Sequence, residues 1–142
     1  MKRTLLTTCL IVATALLSTH AADASAADIN LTITGVGDKG NVMVALYKKE
    51  DKWLARSSMG TMVVAKKEGV TVSFKDLPEG EYAVSLFVDE NSNGKMDTNA
   101  IGIPIEPYGF SNNASGNFGP PSFEQAKVVV GKDNASITIT LK

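Results

Sequence analysis

The sequence predicts an all-β fold: a single antiparallel β-sandwich of about seven strands with one long, ordered loop. Three observations lead to this prediction. Apolar and polar residues alternate in several short runs, turn-forming residues separate these runs, and helical periodicity is confined to a turn or two. Short alternating strands between regular turns are typical of two packed sheets.

The first half of the chain predicts three strands. Residues 28–35 alternate, which places Ile29, Leu31 and Ile33 on one face. Residues 42–47 are apolar on both faces, which indicates a central strand covered on both sides. Residues 48–58 are charged and mixed, so they predict a loop or a short helix, and residues 61–65 predict the next strand.

The second half predicts four more strands. Residues 70–75 and 82–88 alternate in the same way and are joined by a turn at Pro78 and Gly80, because Pro pre-sets φ and Gly tolerates positive φ. The second of these strands leads directly into Asp89. Residues 126–130 and 137–141 predict the last two strands, with turn residues between them.

Residues 1–26 have the pattern of a secretory signal peptide. Lys2 and Arg3 precede a short apolar run at residues 5–17, and Ala24 and Ala26 form an A-x-A cleavage site. The apolar run is short for a bilayer span, so an uncleaved anchor is the weaker alternative. We therefore predict a signal peptide at 1–26, one domain at 27–142, and a periplasmic or secreted protein.

The composition of the predicted domain excludes several classes of function. The only cysteine, Cys9, and the only histidine, His20, both lie in the signal segment. The domain therefore has no disulfide, no Cys nucleophile, no His base and no Cys/His zinc site. The net charge of the whole chain, −1 at pH 7, does not favour nucleic acid, and no later apolar run is long enough to span a membrane.

The most informative motif is D-E-N-S-N-G-K-M-D at residues 89–97, which has the spacing of a calcium loop. Calcium prefers many oxygen ligands, and a tight loop with an oxygen at every second residue turns them toward one point. The predicted ligands are the side chains of Asp89, Asn91, Asn93 and Asp97 and the carbonyl of Lys95, with Glu106 as a further candidate. So few carboxylates predict weak binding, with a Kd of about 10⁻⁴–10⁻³ M.

The alternative for this motif is a two-residue hairpin turn without any metal. Asn93-Gly94 is a strong signal for a type I′ turn. That turn needs only these two residues, however, and it does not account for Asp89, Asn91 and Asp97 at ligand spacing. We therefore favour Ca²⁺ over the bare turn.

Residues 98–122 form a long segment rich in Gly, Pro and Asn that nonetheless carries aromatic side chains. Long loops inside compact domains are usually functional or disordered, and disordered segments have few aromatics. We expect an ordered loop beside the 89–97 loop. Its candidate ligand-binding residues are Tyr108, Phe110, Asn112 and Phe118. The favoured alternative is that the three aromatic rings plug the open end of the sandwich.

Two segments carry a resemblance to known families. The hairpin L-P-x-G-x-Y-x-V at 77–84 resembles those of transthyretin-like (prealbumin-like) sandwich domains, some of which carry such a calcium loop. The run from Val88 to Ala126 is similar to domain-of-unknown-function family 2141, whose members are secreted bacterial proteins with no established activity. The resemblance draws attention to Asp89, Asn93, Gly94, Asp97, Gly102, Pro104, Glu106, Gly109, Phe110, Ser111, Asn112, Gly119, Pro120 and Phe123.

The function predicted from the sequence is that of a non-catalytic module that binds one Ca²⁺, which orders the adjacent loop for contact with an envelope glycan or protein. The first alternative is a purely structural domain without metal. The second is a glycan-active enzyme that pairs Glu106 with Asp89 or Asp97. The enzyme is disfavoured because a metal-bound carboxylate is a poor general acid, and Ser111 has no histidine to activate it.

Overall fold

A computed structural model describes residues 26–142, so the predicted signal peptide lies outside the described residues apart from Ala26, which begins the first strand. The eight strands are β1 (Ala26–Thr34), β2 (Asn41–Lys48), β3 (Met59–Val64), β4 (Val70–Pro78), β5 (Gly80–Asp89), β6 (Tyr108–Phe110), β7 (Lys127–Val130) and β8 (Ala135–Thr140). A 3₁₀ turn (Ser111–Asn113) and one short helix, α1 (Phe123–Ala126), lie between β6 and β7. Within residues 26–142, no helix is long and apolar enough to cross a bilayer.

The strands form two sheets. The smaller sheet has the order β4-β1-β8, and the larger has the order β3-β2-β5-β6, with β7 also paired to β5. β6 and β7 pair with different parts of β5, at residues 85–87 and 80–83. The structure thus confirms the predicted all-β sandwich.

The core lies between the two sheets and follows from the alternation of each strand. Along β1, Ile29, Leu31 and Ile33 are buried, and along β2, Val42 and Leu46 are equally inaccessible. Because successive side chains of a strand point to opposite faces, one face of each strand supplies the core and the other faces outward. This burial supplies most of the hydrophobic stabilisation of the fold.

Two details differ from the prediction, and a third decides between two alternatives that the sequence left open. β6 adds a strand of three residues inside the long loop, too short to produce an alternating pattern. β1 pairs in parallel with β8, so the sandwich is not wholly antiparallel. The segment between β2 and β3 consists of turns and irregular backbone, so the loop interpretation of residues 48–58 holds and the helix does not form.

Candidate functional site

Asp89 is the last residue of β5 and anchors the 89–97 loop. The residue is only 2% exposed. The N–H of Asn93 donates to Asp89 Oδ1 at 3.0 Å, and the N–H of Gly94 donates to Oδ2 at 2.7 Å. The carboxylate therefore points into the loop, where it fixes the backbone at the bend.

The two asparagines repeat this arrangement further along the loop. Asn91 Oδ1 accepts the N–H of Asn93 at 3.1 Å, and Asn93 Oδ1 accepts the N–H of Lys95 at 2.8 Å. An amide oxygen has two lone pairs, so each keeps one for a further interaction. The backbone of Ser92 and Gly94 has positive φ but that of Asn93 does not, so the type I′ turn at Asn93-Gly94 does not form.

Asp97 brings the far end of the loop back to the asparagines. Its carboxylate accepts hydrogen bonds from Asn93 Nδ2, at 3.0 Å to Oδ1, and from Asn91 Nδ2. The side chains of Asn91, Asn93 and Asp97 therefore meet at one place. Lys95 is exposed and contributes its N–H to the loop.

Glu106 holds the two ends of the loop together. It is 6% exposed, and its Oε1 and Oε2 accept the N–H groups of Glu90 and Asp97, each at 2.9 Å. Glu90 opens the loop and Asp97 closes it. Glu106 was a candidate metal ligand, and the structure places it as a brace between the two backbone ends.

The 89–97 loop concentrates negative charge. Asp89 and Glu106 are buried, yet neither forms an ion pair with a basic side chain within residues 26–142. In the same part of the chain, no three Asp, Glu, His or Cys side chains converge as a metal cluster. The predicted donor set contains only two carboxylates, Asp89 and Asp97, and relies on amide and carbonyl oxygens for the rest.

The turn between β1 and β2 supports the 89–97 loop, and the sequence did not predict this contact. A Cβ atom on Gly40 would lie 2.0 Å from the Asp89 carbonyl oxygen, so only glycine allows this approach. Next to it, Asn41 Nδ2 donates to Ser92 Oγ at 3.3 Å. The sequence signal for this role is the position of Gly40 in a glycine-rich turn, where positive φ is common. The φ of Gly40 is +76°.

The aromatic residues of the long loop divide into two groups. Phe110 is buried and Tyr108 half-buried, while Phe118 is fully exposed. The rings of Phe110 and Tyr108 lie 6.0 Å apart, and Trp53 packs 6.1 Å from Phe110 and 5.9 Å from Phe123. The three rings therefore do not form one surface, since Phe118 lies outside the cluster, and ligand binding by these residues stays a prediction.

This aromatic cluster covers the outer face of the larger sheet rather than an open end of the sandwich. Phe110 pairs with Ser85 and packs with Ala83 and Ala126, on the face opposite the core. Trp53 Nε1 donates to the carbonyl of Pro121 at 2.8 Å, which holds the 48–58 segment over the cluster. The predicted plug at the end of the sandwich is thus wrong in its location. Trp53 and Phe123, which complete the cluster, were not assigned to it from the sequence.

Asn112 has a structural role in the fold, and its ligand-binding role stays a prediction. Its Nδ2 donates to the carbonyl of Lys127 at 2.7 Å, and Asn113 Oδ1 accepts the N–H of Thr140 at 2.8 Å. Beside them, the buried Ser111 Oγ accepts the N–H of Val84 at 2.9 Å and donates to the carbonyl of Ala126. This 3₁₀ turn therefore ties strands of both sheets together.

Comparisons with known proteins give one structural and one family match. No curated relative matches the sequence. A solved structure similar to the chain is that of a pilus-presented adhesin (Cpa), at 11% identity and a TM-score of 0.37. The alignment covers 84% of this chain and 27% of the adhesin chain, so this chain spans about a quarter of that structure.

The family model described as "Uncharacterized protein conserved in bacteria (DUF2141)" matches residues 31–138. The match runs from within β1 into β8, and it includes the 89–97 loop and Glu106, which holds the two ends of that loop together. The chain therefore belongs to the DUF2141 family of bacterial proteins.

Proposed function

We propose that this protein is a non-catalytic β-sandwich module of the periplasm or cell exterior that binds one Ca²⁺ in the 89–97 loop. One observation carries the proposal: the carboxylates of Asp89 and Asp97 flank that loop without a basic partner within residues 26–142. A divalent cation would neutralise this charge. Export of the chain through the signal segment would bring the loop to a compartment where weak calcium sites are useful.

The proposed ligands are the oxygens of Asp89, Asn91, Asn93 and Asp97 and the carbonyl of Lys95, with water completing the shell. All are hard oxygen donors of the kind that calcium selects. The amide oxygens of Asn91 and Asn93 each accept one N–H, which leaves a lone pair for the ion. Glu106 stays a further candidate ligand, because each of its oxygens, like each oxygen of Asp89, accepts one backbone N–H and keeps lone-pair capacity for an ion.

Ion binding would also fix the segment that follows the loop. The carbonyl of Asp97 accepts the N–H of Ile105 at 3.0 Å, which closes a short hairpin, and Asn99 Oδ1 accepts the N–H groups of Ile101 and Ile103. Asp97 belongs to both the loop and the hairpin. Binding at Asp97 therefore couples ion occupancy to the order of the hairpin.

Two alternatives predict different behaviour. A purely structural sandwich needs no ion, and the hydrogen bonds of the 89–97 loop would then suffice to hold it. A glycan-active enzyme needs an accessible general acid in a cleft, whereas Glu106 is buried and bonded to two backbone N–H groups. The second alternative is the weaker one for that reason.

The test is a thermal melt and a calorimetric titration of the purified chain in chelator and in millimolar CaCl₂. A ligand that binds only the folded state raises stability by RT ln(1 + [L]/Kd), so a Kd of about 10⁻⁴ M predicts a rise of several degrees in Tm. Asp97→Asn should abolish the rise. Asp133→Asn, an exposed aspartate in the turn before β8, is the matched control and should keep it.

Equal melting temperatures in chelator and in calcium, together with no heat of binding, would overturn the calcium proposal. The purely structural alternative would then stand. Magnesium makes the test more specific, because Mg²⁺ demands a smaller octahedral site. An equal response to Mg²⁺ would contradict calcium selectivity.

A further inference from the structure

The hairpin at residues 97–105, which directly follows the 89–97 loop, carries three exposed isoleucines. Ile101 at its tip is 79% exposed, and Ile103 and Ile105 on its returning arm are 53% and 65% exposed. Because alternate residues of an extended arm share a face, Ile103 and Ile105 project on the same side. Single exposed apolar residues are ordinary, but three within five residues form a patch of the kind that marks a protein or membrane contact.

The tip of this hairpin is open to its surroundings and carries no charge. A Cβ atom on Gly102 would meet nothing within 4 Å, so no other segment packs against the tip at that point. Residues 98–105 read T-N-A-I-G-I-P-I, without any acidic or basic side chain. A projecting, uncharged tip is a shape that can enter another phase, whereas a groove is the shape that receives a peptide or a small ligand.

The N–H groups of the hairpin find their acceptors within the hairpin itself. Asn99 Oδ1 accepts two of them, from Ile101 at 3.1 Å and from Ile103 at 3.0 Å. Hydrocarbon offers no hydrogen-bond acceptor, so a segment can enter a lipid surface only if its own atoms satisfy such groups, whereas a protein partner could supply acceptors. The hydrogen bonds therefore favour lipid as the occupant. The further N–H groups that donate to carbonyls of the same hairpin are those of Asn99, Gly102 and Ile105.

The candidate ion site lies at the base of this hairpin, and its charge indicates which lipid surface fits. The carboxylate of Asp97 belongs to the 89–97 loop, while its carbonyl accepts the N–H of Ile105 at 3.0 Å. Without an ion, the carboxylates of Asp89 and Asp97 would be repelled by an anionic membrane surface. A bound Ca²⁺ would neutralise them, and phosphate oxygens are hard donors that can replace the water in its shell.

We propose that the 97–105 hairpin docks on an anionic phospholipid surface when Ca²⁺ occupies the 89–97 loop. The isoleucine side chains enter the boundary between headgroups and acyl chains, and lipid phosphates complete the shell of the ion. Such docking depends on the calcium site proposed above, and it identifies the partner of that site. Because the isoleucines and the ion are held on one rigid hairpin, their two weak contacts form together and reinforce each other.

The test is cosedimentation with vesicles of mixed phosphatidylglycerol and phosphatidylcholine, in chelator and in millimolar CaCl₂. It uses residues 26–142, which contain both sheets, so that the apolar run at residues 5–17 cannot bind lipid by itself. Affinity for the vesicles should be about tenfold higher or more in calcium, because neutralising two carboxylates removes their repulsion by the anionic surface. Vesicles of phosphatidylcholine alone should bind less protein in calcium than the mixed vesicles do.

A double variant, Ile101→Asn with Ile103→Asn, tests the role of the hairpin. Its affinity for the mixed vesicles in calcium should fall about tenfold or more, since it loses apolar surface that the lipid would bury. Its Tm in chelator and the rise in Tm with calcium should match those of the wild type, because both side chains are exposed. Val129→Asn is the matched control and should bind vesicles normally, since Val129 is equally exposed but pairs with Glu81, at the end of β5 far from Asp89.

A calcium titration without lipid distinguishes failure of the docking from failure of the ion site. A calcium response in solution without any binding to vesicles would overturn the docking and leave the calcium site in place, with the isoleucines then available for a protein partner. Equal vesicle binding in chelator and in calcium, or by the isoleucine variant and the wild type, would also overturn it. An absent calcium response in solution and with vesicles alike would contradict the calcium site, and the docking would fall with it.

Discussion

Gly40 lies directly against Asp89, so closely that a Cβ atom on Gly40 would come within 2.0 Å of the Asp89 carbonyl oxygen. The backbone φ of Gly40 is +76°, in the region that L side chains rarely adopt. The β1–β2 turn and the 89–97 loop therefore share one tightly packed contact. This contact connects the candidate ion site to a part of the chain about fifty residues away.

Gly40→Ala should destabilise the protein by at least about 1 kcal/mol, because the new methyl group must displace the backbone at Asp89 and adopt a strained φ. Urea unfolding in chelator measures this loss without any contribution from an ion. Gly37→Ala is the matched control, since its Cβ would meet nothing within 4 Å and its φ is not positive. Equal losses in the two variants would contradict the close contact at Gly40.

Ser111→Ala should lower the free energy of unfolding by about 1–3 kcal/mol, because it leaves the buried N–H of Val84 and the carbonyl of Ala126 without their shared partner. Chemical denaturation measures the change. Ser136→Ala, an exposed serine in β8, should fall within about 0.5 kcal/mol of the wild type. A neutral Ser111→Ala variant would show that Ser111 does not join the strands.

Phe110→Ala should destabilise the protein by about 3–5 kcal/mol, since it removes a buried ring from the cluster around Trp53. Tryptophan fluorescence should shift to longer wavelength as water reaches the indole. Phe118→Ala removes the same side chain from a fully exposed position and should leave both stability and fluorescence unchanged. A destabilised Phe118→Ala variant would be incompatible with the observed exposure.

The ion pairs of Glu81 predict a specific pH dependence. Hydrogen bonds from Lys127 and then Lys49 lower the pKa of the Glu81 carboxyl from 4.5 to about 2. A carboxyl with a lowered folded-state pKa stabilises the fold fully above its unfolded pKa, and that stabilisation is lost as the pH falls toward the folded value. The contribution should therefore decline between pH 4.5 and about 2.

The measurement is the difference in Tm between the wild type and Glu81→Gln as a function of pH. The difference should be constant above pH 4.5 and disappear near pH 2. Glu79→Gln, an exposed glutamate that makes no ion pair within residues 26–142, should show little difference at any pH. A Glu81→Gln difference that persists at pH 2 would contradict the lowered pKa.

Much of the fold was predictable from the sequence because strand alternation is a local signal. The buried faces of β1, β4 and β5 correspond to residues that alternate in the sequence. β6 was not predictable, since three residues carry no period and their pairing with β5 is a tertiary contact. The parallel pairing of β1 with β8 is likewise absent from any local pattern.

The candidate site was predictable only in part, because residue spacing is a local signal and contacts between distant segments are not. The spacing of Asp89, Asn91, Asn93 and Asp97 predicted a loop with inward oxygens, and these side chains do hold the loop through hydrogen bonds. The roles of Gly40 and Glu106 depend on contacts between distant segments, which spacing does not reveal. The hydrogen bonds of Asn112 were not predictable either, because its partners, on α1 and β7, become neighbours only on folding.

The parallel pairing of β1 with β8 also has a consequence for biogenesis. The first strand of the domain has the last strand as a neighbour in its sheet, so the three-stranded sheet cannot close while β8 is still being synthesised or exported. Closing such a long-range pair is slow, because the entropy of bringing the ends together is lost before their contacts form. During export as an extended polypeptide, the three-stranded sheet would therefore be completed only after β8 emerges, whereas the strands of the larger sheet all precede β8.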